Sequence, residues 1–520
     1  MDTGPWDIAR DAGRRLHQFH GGLRLRHHKQ VSCRHPLGRP ALPERLVVPL
    51  LQHAGPEPEC LVRPGQTVLK GECIARSKTR GAAHVHAPTS GRVERVEMRP
   101  IAHPSGQPGL CVVIEPDGAD RPAPMQALED WREADPRDIR LHIRASGIVG
   151  LGGAVYPTHS KAWKASTRRI HTLVINGAEC EPYIACDEML MRERPDEVVL
   201  GARILQRAMQ AERTLIAIED QMGEVLLALE KAIHDSGADD LEVTKVQAIY
   251  PEGGERQLVQ VLTGLEVPAG GYPYELGLAV QNVATAAAAA RAVTRGQPLV
   301  ERIVTVTGNG IRNPRNLEAL IGTPISHLAA ACGGYTEDAE RLVIGGPMMG
   351  YALDGDDHPV IKAANCVLVL SHDDVAPRQP EMPCIRCGEC ARVCPALLLP
   401  QQLLFELKSE QWGQATASGL QACIECGCCD LVCPSHIPLV EWFRFGKGAL
   451  RRQSQDHAAA EHSRHRYEAR EERLARERAD KAQRLARRKK RLKDEAERKK
   501  LVKAAIDRAS EAGTQGDDSS

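Results

Sequence analysis

Residues 195–220 read PDEVVLGARILQRAMQAERTLIAIED. The first sixteen place apolar residues at helical spacing behind a Pro-Asp-Glu start, and the last eight, RTLIAIED, form a β-rich run closed by acids. The same alternation continues on both sides: HTLVINGAE (171–179) reads as a strand and GEVLLALEKAIHDSG (223–237) as a helix behind a turn. Strand, helix, strand, helix between about Asp138 and Gly271 predicts a parallel α/β sheet. Loops at the carboxyl ends of its strands are where a nucleotide or flavin is expected.

Upstream, residues 41–115 change character. Short runs such as ERLVVPL and CVVIEP are broken at close intervals by Gly and Pro, which predicts a small β domain. VRPGQTVLKGECIA followed by HVHAPTSGRVERV resembles the barrel-sandwich hybrid of lipoyl and biotinyl domains. The hairpin that carries a modified lysine in those domains is here RSKTRGA, and Lys78 lacks the flanking Met or Asp of a carrier lysine, so a structural role is expected for it. Downstream, ERIVTVTGNGI, TPISHLAAACGG and ERLVIGGP between residues 300 and 347 predict a compact β-grasp-type module.

The chain has 520 residues, enough for several domains. Lys plus Arg and Asp plus Glu each total 68, but the basic excess lies in the C-terminal run and leaves the body mildly acidic. That run has helix-forming residues and almost no apolar stripe, so an extended solvated helix or disorder is expected. It interleaves acids with Arg and has a single aromatic residue, Tyr467, a poor pattern for nucleic acid. An anionic lipid or an acidic partner accounts for it as well. No export signal opens the sequence and no stretch supplies about eighteen uninterrupted apolar residues. With 17 cysteines, this predicts a soluble protein of a reducing compartment whose clustered thiols bind metal.

Those thiols fall into two aligned frames. CIRCGECARVCP (384–395) and CIECGCCDLVCP (423–434) both obey C-x2-C-x2-C-x3-C-P. In two-cluster ferredoxins three cysteines of such a frame wrap one cubane and the fourth crosses to the other. The expected ligands are Cys384, Cys387, Cys390 and Cys433 for one [4Fe-4S] cluster, and Cys423, Cys426, Cys429 and Cys394 for the second. Cys428 is left over as a packed thiol. Zinc lacks a reason for the trailing Cys-Pro, and disulfides do not suit the compartment. Cys180 and Cys186 have no such frame and read as packed thiols, and His27 and His28 as exposed loop residues.

Something must feed two one-electron carriers. In GIVGLGGAVYPTHSKAWK (147–164), glycines at 147, 150, 152 and 153 allow close approach of backbone to a phosphate or an isoalloxazine, and Lys161 offers a point charge. NGAECEPYI follows a strand and places Glu179 and Glu181 at its carboxyl end. YPEGGERQLVQVLTG (250–264) and QNVATA (281–286) add a Gly-rich turn and Asn282.

The order of these motifs is similar to the flavin- and NADH-binding 51 kDa subunit of respiratory complex I, where the corresponding stretches run G-R-G-G-A-G-F-P-T-G-x-K-W and N-A-D-E-x-E-P. The chain resembles more closely the RnfC/RsxC family, the peripheral subunit of Rnf-type ion-translocating electron transport complexes, in GLGGA, AECEPYI, HAPTSG, IGGPMMG and the two cysteine frames. The resemblance covers roughly residues 19–450. It implies a barrel-sandwich hybrid over 41–130 after an N-terminal segment, 1–40, and a Rossmann-like FMN/NADH domain over 131–290. A β-grasp, SLBB-like module (298–350), a two-[4Fe-4S] ferredoxin-type domain (375–445) and a charged tail (452–520) complete the expected order.

The resemblance also implies non-covalent FMN held by Gly150, Gly152, Gly153, Lys161, Asn176 and Asn282, with Glu179 and Glu181 near NAD(H). Partners would be the other subunits of an Rnf/Rsx membrane complex and ferredoxin-like carriers, with no nucleic acid. The place would be the cytoplasmic face of the inner membrane, peripherally. The chain departs from the complex I pattern at Leu151, Val155, His159 and Ala178, where Arg, Gly, Gly and Asp are usual. A flavin-less iron-sulfur relay that docks other carriers is the alternative.

Overall fold

The computed structural model describes residues 16–79, 81–377 and 379–513. Residues 1–15 of the expected N-terminal segment and 514–520 of the expected tail lie outside the described residues. The chain divides into two units between Arg444 and Phe445.

In the first unit, strands Leu46–Pro49, Gly109–Pro116, Gly91–Arg99 and Thr67–Val68 pair antiparallel in that order. A three-stranded sheet of Glu59–Cys60, Cys73–Arg76 and Val85–His86 completes this β domain. Leu46, Val48, Val112 and Ile114 supply its apolar interior. Lys78 is exposed and pairs with Glu59 at 2.6 Å.

The α/β sheet has the order Leu241–Val246, Ala211–Glu219, Ile170–Gly177, Leu278–Asn282, all parallel. The chain steps outward from Ile170–Gly177 twice and then returns to its other side, so the order reverses between Ile170–Gly177 and Leu278–Asn282. Such a reversal opens a crevice at the carboxyl ends of the two strands. Helices Pro195–Met209 and Val283–Arg295 pack so closely that a Cβ on Gly201 would lie 1.8 Å from the carbonyl oxygen of Ala286. Gly201→Ala gains about 1 kcal/mol of helix propensity. Forcing the helices apart outweighs that gain. A net loss of about 2 kcal/mol in urea denaturation is the expected result, and a stabilised variant would contradict it.

The next module is a five-stranded mixed sheet ordered Arg315–Leu320, Glu301–Thr307, Cys366–Ser371, Ala339–Ile344, Tyr351–Ala352. Its first and last strands in sequence, Glu301–Thr307 and Cys366–Ser371, lie side by side and parallel. The module therefore runs to Ser371, beyond the limit of 350 expected from sequence, because the segment after Ala352 returns to complete the centre of the sheet. CVLVLS is a short apolar run whose place in a sheet only the long-range pairing reveals.

The N-terminal segment, the α/β domain and the β-grasp module meet on Glu318 and Glu301. Arg194 donates to both carboxylate oxygens of Glu318, at 2.6 and 3.0 Å, and Arg39 reaches Glu318 at 2.9 Å and Glu301 at 3.1 Å. Arg291 lies 3.3 Å from Glu301 and 3.4 Å from Glu318. Burial would raise Glu318, but the guanidiniums of Arg194 and Arg39, with Arg291 behind them, pull its carboxyl down to about 2.

The helix Leu439–Gly513 begins in the first unit, and its remainder forms the second. From 451 to 510 its side chains are exposed apart from Leu474. Ion pairs one turn apart, such as Arg464–Glu468 and Arg473–Glu477, support it.

Candidate functional site

The switch point gathers the predicted flavin-side residues from four separate motifs. Asn176 and Asn282 are register partners on the two parallel strands that flank it. A Cβ on Gly152 would stand 3.4 Å from that of Asn282, so the glycine loop lies directly against the strand end. The loop is fixed by its backbone: Leu151 N–H donates to Thr285 Oγ1 at 2.9 Å and Gly150 N–H to the Tyr156 carbonyl at 2.9 Å. Gly153, at φ +106°, faces open space, and only glycine adopts that conformation at little cost. A few residues on, helix Thr158–Ala165 begins.

The other predicted residues have partners within the chain. Lys161 Nζ sits 3.0 Å from both oxygens of Glu255, at the start of helix Glu255–Thr263. Asn176 donates to the Gly253 carbonyl at 2.8 Å and accepts from Ala178 N–H at 3.0 Å. Asn282 is the N-cap of helix Val283–Arg295: its Oδ1 accepts from Ala284 and Thr285 N–H, and its Nδ2 donates to Asp187 at 2.5 Å. That role follows from its place after a strand and before an alanine-rich helix. Both asparagine amides are thus engaged by the protein itself through their oxygen and their nitrogen.

Glu179 and Glu181 are likewise committed. Glu179 is buried, accepts from Cys186 Sγ and from Asp187 and Glu188 N–H at the start of helix Cys186–Glu193, and faces Lys29 at 3.8 Å. Glu181 accepts from Met348 and Met349 N–H at 2.7 and 3.1 Å, gripping the GGPMMG turn of the β-grasp module. Both carboxylates thus join segments distant in sequence.

Sequence reasoning missed Lys29, Lys362 and Arg302. Lys29 sits in the basic loop after His27 and His28, yet it is buried against Glu179 and Glu219. Burial opposes its charge, but the two carboxylates hold it above the ordinary lysine range, while burial pushes Glu219 up to about 7. His28 is exposed and stacks on Tyr183, 4.7 Å between ring centres. Arg302, fully inside, donates to the carbonyls of Leu151 and Lys362.

Lys362 donates to the carbonyls of Gly147, at 2.7 Å, and His84, at 3.0 Å, which ties the glycine loop to the β domain. Burial pulls its ammonium from 10.5 down to about 7. Between those values the unfolded chain binds more protons than the folded one, so this group makes stability rise with pH across that window. In Lys362→Met the rise should flatten, and the protein should be less stable at the alkaline end, where two carbonyls lose their donor. Urea titrations from pH 7 upward test this, and parallel curves for the two proteins would refute it.

The two cysteine loops repeat one another in backbone geometry. Arg386 and Glu425 both have φ of 58°, Gly388 and Gly427 have 79° and 78°, and Leu397 and His436 have 53° and 51°. Cys384, Cys387, Cys390 and Cys433 line one cavity, with Gln401 and Leu404 on its wall. Cys394, Cys423, Cys426 and Cys429 line a second, together with Cys428. The fourth thiol of each frame thus lies at the other frame's cavity, and the donor set of four thiols suits a cubane. Cys428 is fully buried and packs beside Tyr250.

The second loop is docked on the body. Tyr250 Oη donates to the Cys426 carbonyl at 2.6 Å, and the backbone of Gly427 approaches the Met348 carbonyl so closely that a Cβ would lie 2.8 Å from it. His20 Nδ1 lies 3.1 Å from the Cys394 carbonyl.

Three family models match the chain: the RnfC barrel sandwich hybrid domain over residues 17–119, the Nuo51 FMN-binding domain over 143–291 and the SLBB domain over 303–352. Curated relatives are each named as the C subunit of an ion-translocating oxidoreductase complex. That of Pseudomonas aeruginosa is 46% identical over 89% of this chain and 59% of its own length. That of Edwardsiella ictaluri is 44% identical over 90% and 58%, and that of Yersinia pestis bv. Antiqua 43% identical over 89% and 74%. The chain spans about three fifths of the length of the first two. Among solved structures, an NAD+-reducing [NiFe]-hydrogenase in the H2-reduced state superposes on 58% of this chain and 61% of its own with a TM-score of 0.44 at 19% identity. With 43% identity extending over three quarters of the Yersinia protein, the chain belongs to the family of C subunits of ion-translocating oxidoreductase complexes.

Proposed function

We propose that this chain is the electron-transfer subunit of an ion-translocating oxidoreductase complex, passing electrons between NAD(H) and FMN on one side and two [4Fe-4S] clusters on the other. The observation that carries the reading is the sharing of the eight framework thiols between two cavities, four to each. Cys384, Cys387, Cys390 and Cys433 would hold one cluster, and Cys394, Cys423, Cys426 and Cys429 the other. The relatives' names support the complex, and the matched Nuo51 FMN-binding domain supports the flavin.

The glycine loop fits a flavin: Gly153 opens into unfilled space at the switch point, and the start of helix Thr158–Ala165 is close in sequence for the phosphate. When bound, FMN supplies the conversion of a hydride's electron pair into single electrons. In this reading the chain's residues do the rest. Gly150, Gly152 and Gly153 cradle the group, Lys161 balances the phosphate while sharing Glu255, and Asn176 and Asn282 hold the crevice walls in register. Glu179 and Glu181 fix the loop to the helix and to the PMMG turn rather than touching the dinucleotide. Ion movement belongs to partner subunits, since no helix among the described residues is long and apolar enough to cross a membrane. The chain would sit peripherally, on the cytoplasmic face of the inner membrane.

One observation favours the flavin-less relay. Val155 stands at φ +42° where glycine is usual, a left-handed conformation that strains a β-branched residue. Anaerobic purification with iron, FMN and NADH measurements decides between them. About eight irons and one FMN per chain, with flavin bleaching on NADH addition, is the expected result. Full iron with no flavin and no bleaching would sink the dehydrogenase reading and leave the relay.

A further inference from the structure

The repeat of the two cysteine loops makes their surroundings comparable residue by residue, and the surroundings differ. In the second loop Ile424 is half-buried among Leu23, Leu25, Tyr250 and Met348, and Glu425 pairs with Arg444 at 3.0 Å. At the matching places of the first loop, Ile385 is 68% exposed and Arg386 has no ion pair among the described residues. Cys426 is buried and Gly427 touches Met348, whereas Cys387 is exposed and a Cβ on Gly388 would meet nothing within 4 Å. Met382, just ahead of the loop, is 54% exposed. The same fold of loop is thus covered once and bare once.

We propose that the bare face, from Met382 to Cys387, is the docking surface for a second, acidic electron-carrying protein. The covered loop shows what such a face takes: apolar side chains over the isoleucine and an opposite charge for its neighbour. Arg386 stands where the covered loop has an acid already paired to an arginine, so its missing partner is a carboxylate from outside. The exposed Cys387 would bring the cluster edge to this surface, where a carrier can approach it. The inference rests on the cluster reading above.

The test is isothermal titration of the iron-loaded chain with an oxidised small acidic [2Fe-2S] ferredoxin, at low and high ionic strength. Arg386→Glu is compatible with the loop, since Glu425 holds the same φ in the other. It should weaken binding at least about tenfold at low salt and remove most of the salt dependence. Ile385→Ser should weaken binding at both ionic strengths, and Arg92→Glu, on the exposed side of the β domain, should leave it unchanged. Iron content and circular dichroism matching the parent establish that the variants are folded. A loaded chain that binds equally well with both loop substitutions overturns the surface alone. So does a concentration-dependent dimer in sedimentation that Ile385→Ser dissolves, since a second copy would then be the occupant. A chain without iron before titration sinks the cluster reading, and the surface with it.

Discussion

Replacing Cys433 by alanine is expected to empty the site framed by Cys384, Cys387 and Cys390, and to leave the site in its own loop filled. Iron should fall from about eight to about four per chain. The distinguishing measurement is thiol alkylation read by mass spectrometry. In Cys433→Ala, Cys384, Cys387 and Cys390 become reactive while Cys423, Cys426 and Cys429 stay protected, because Cys433 lies at the cavity of the first frame. Cys394→Ala should give the mirror pattern. Protection lost within the substituted residue's own frame would mean that the fourth ligands do not cross. Cys428→Ala should keep about eight irons, whereas Cys429→Ala should not.

Glu318→Ala should be the most destabilising substitution of a charged residue in the α/β and β-grasp interface. Removing one partner of a buried ion network leaves uncompensated charge and commonly costs about 3–5 kcal/mol. Here Glu301 remains to face Arg39 and Arg291, so the lower end, about 3 kcal/mol, is expected. The pH dependence has a definite sign. The carboxyl titrates lower in the folded chain, at about 2 against 4.5, so its stabilisation is present above 4.5 and is lost as pH falls toward 2. Over that acid range the stability of Glu318→Gln should fall less steeply than that of the parent. Identical slopes in urea titrations would show that the guanidiniums do not hold Glu318 as described.

Why some of this was legible in the sequence and some was not follows from the range of the contacts. The helix over PDEVVLGARILQRAM and the strand over AERTLIAIE are local, set by spacing within a few residues, and they stand where the periodicity puts them. The cysteine frames are local too, and their crossing follows from a repeat within the sequence. The partners of Glu179 are of a different kind. Its acid-rich turn reads equally as a ligand site or a solvated loop, and what fills it is Lys29, 150 residues away, a distance over which spacing carries no information. Lys362 was silent for the same reason, since its acceptors belong to Gly147 and His84. Asn282 is legible as an N-cap too, because an Asn between a strand and an alanine-rich helix caps that helix.

The strand Cys366–Ser371 leads directly toward the first cysteine loop, and it sits between Glu301–Thr307 and Ala339–Ile344 rather than at an edge. A pull on the cysteine segment from the side of the β-grasp module therefore loads two hydrogen-bonded ladders in shear at once, instead of peeling one. The capped turn His372–Asp374, bonded through Asp374 to Asn309, adds a further tie at the point where the chain leaves the sheet.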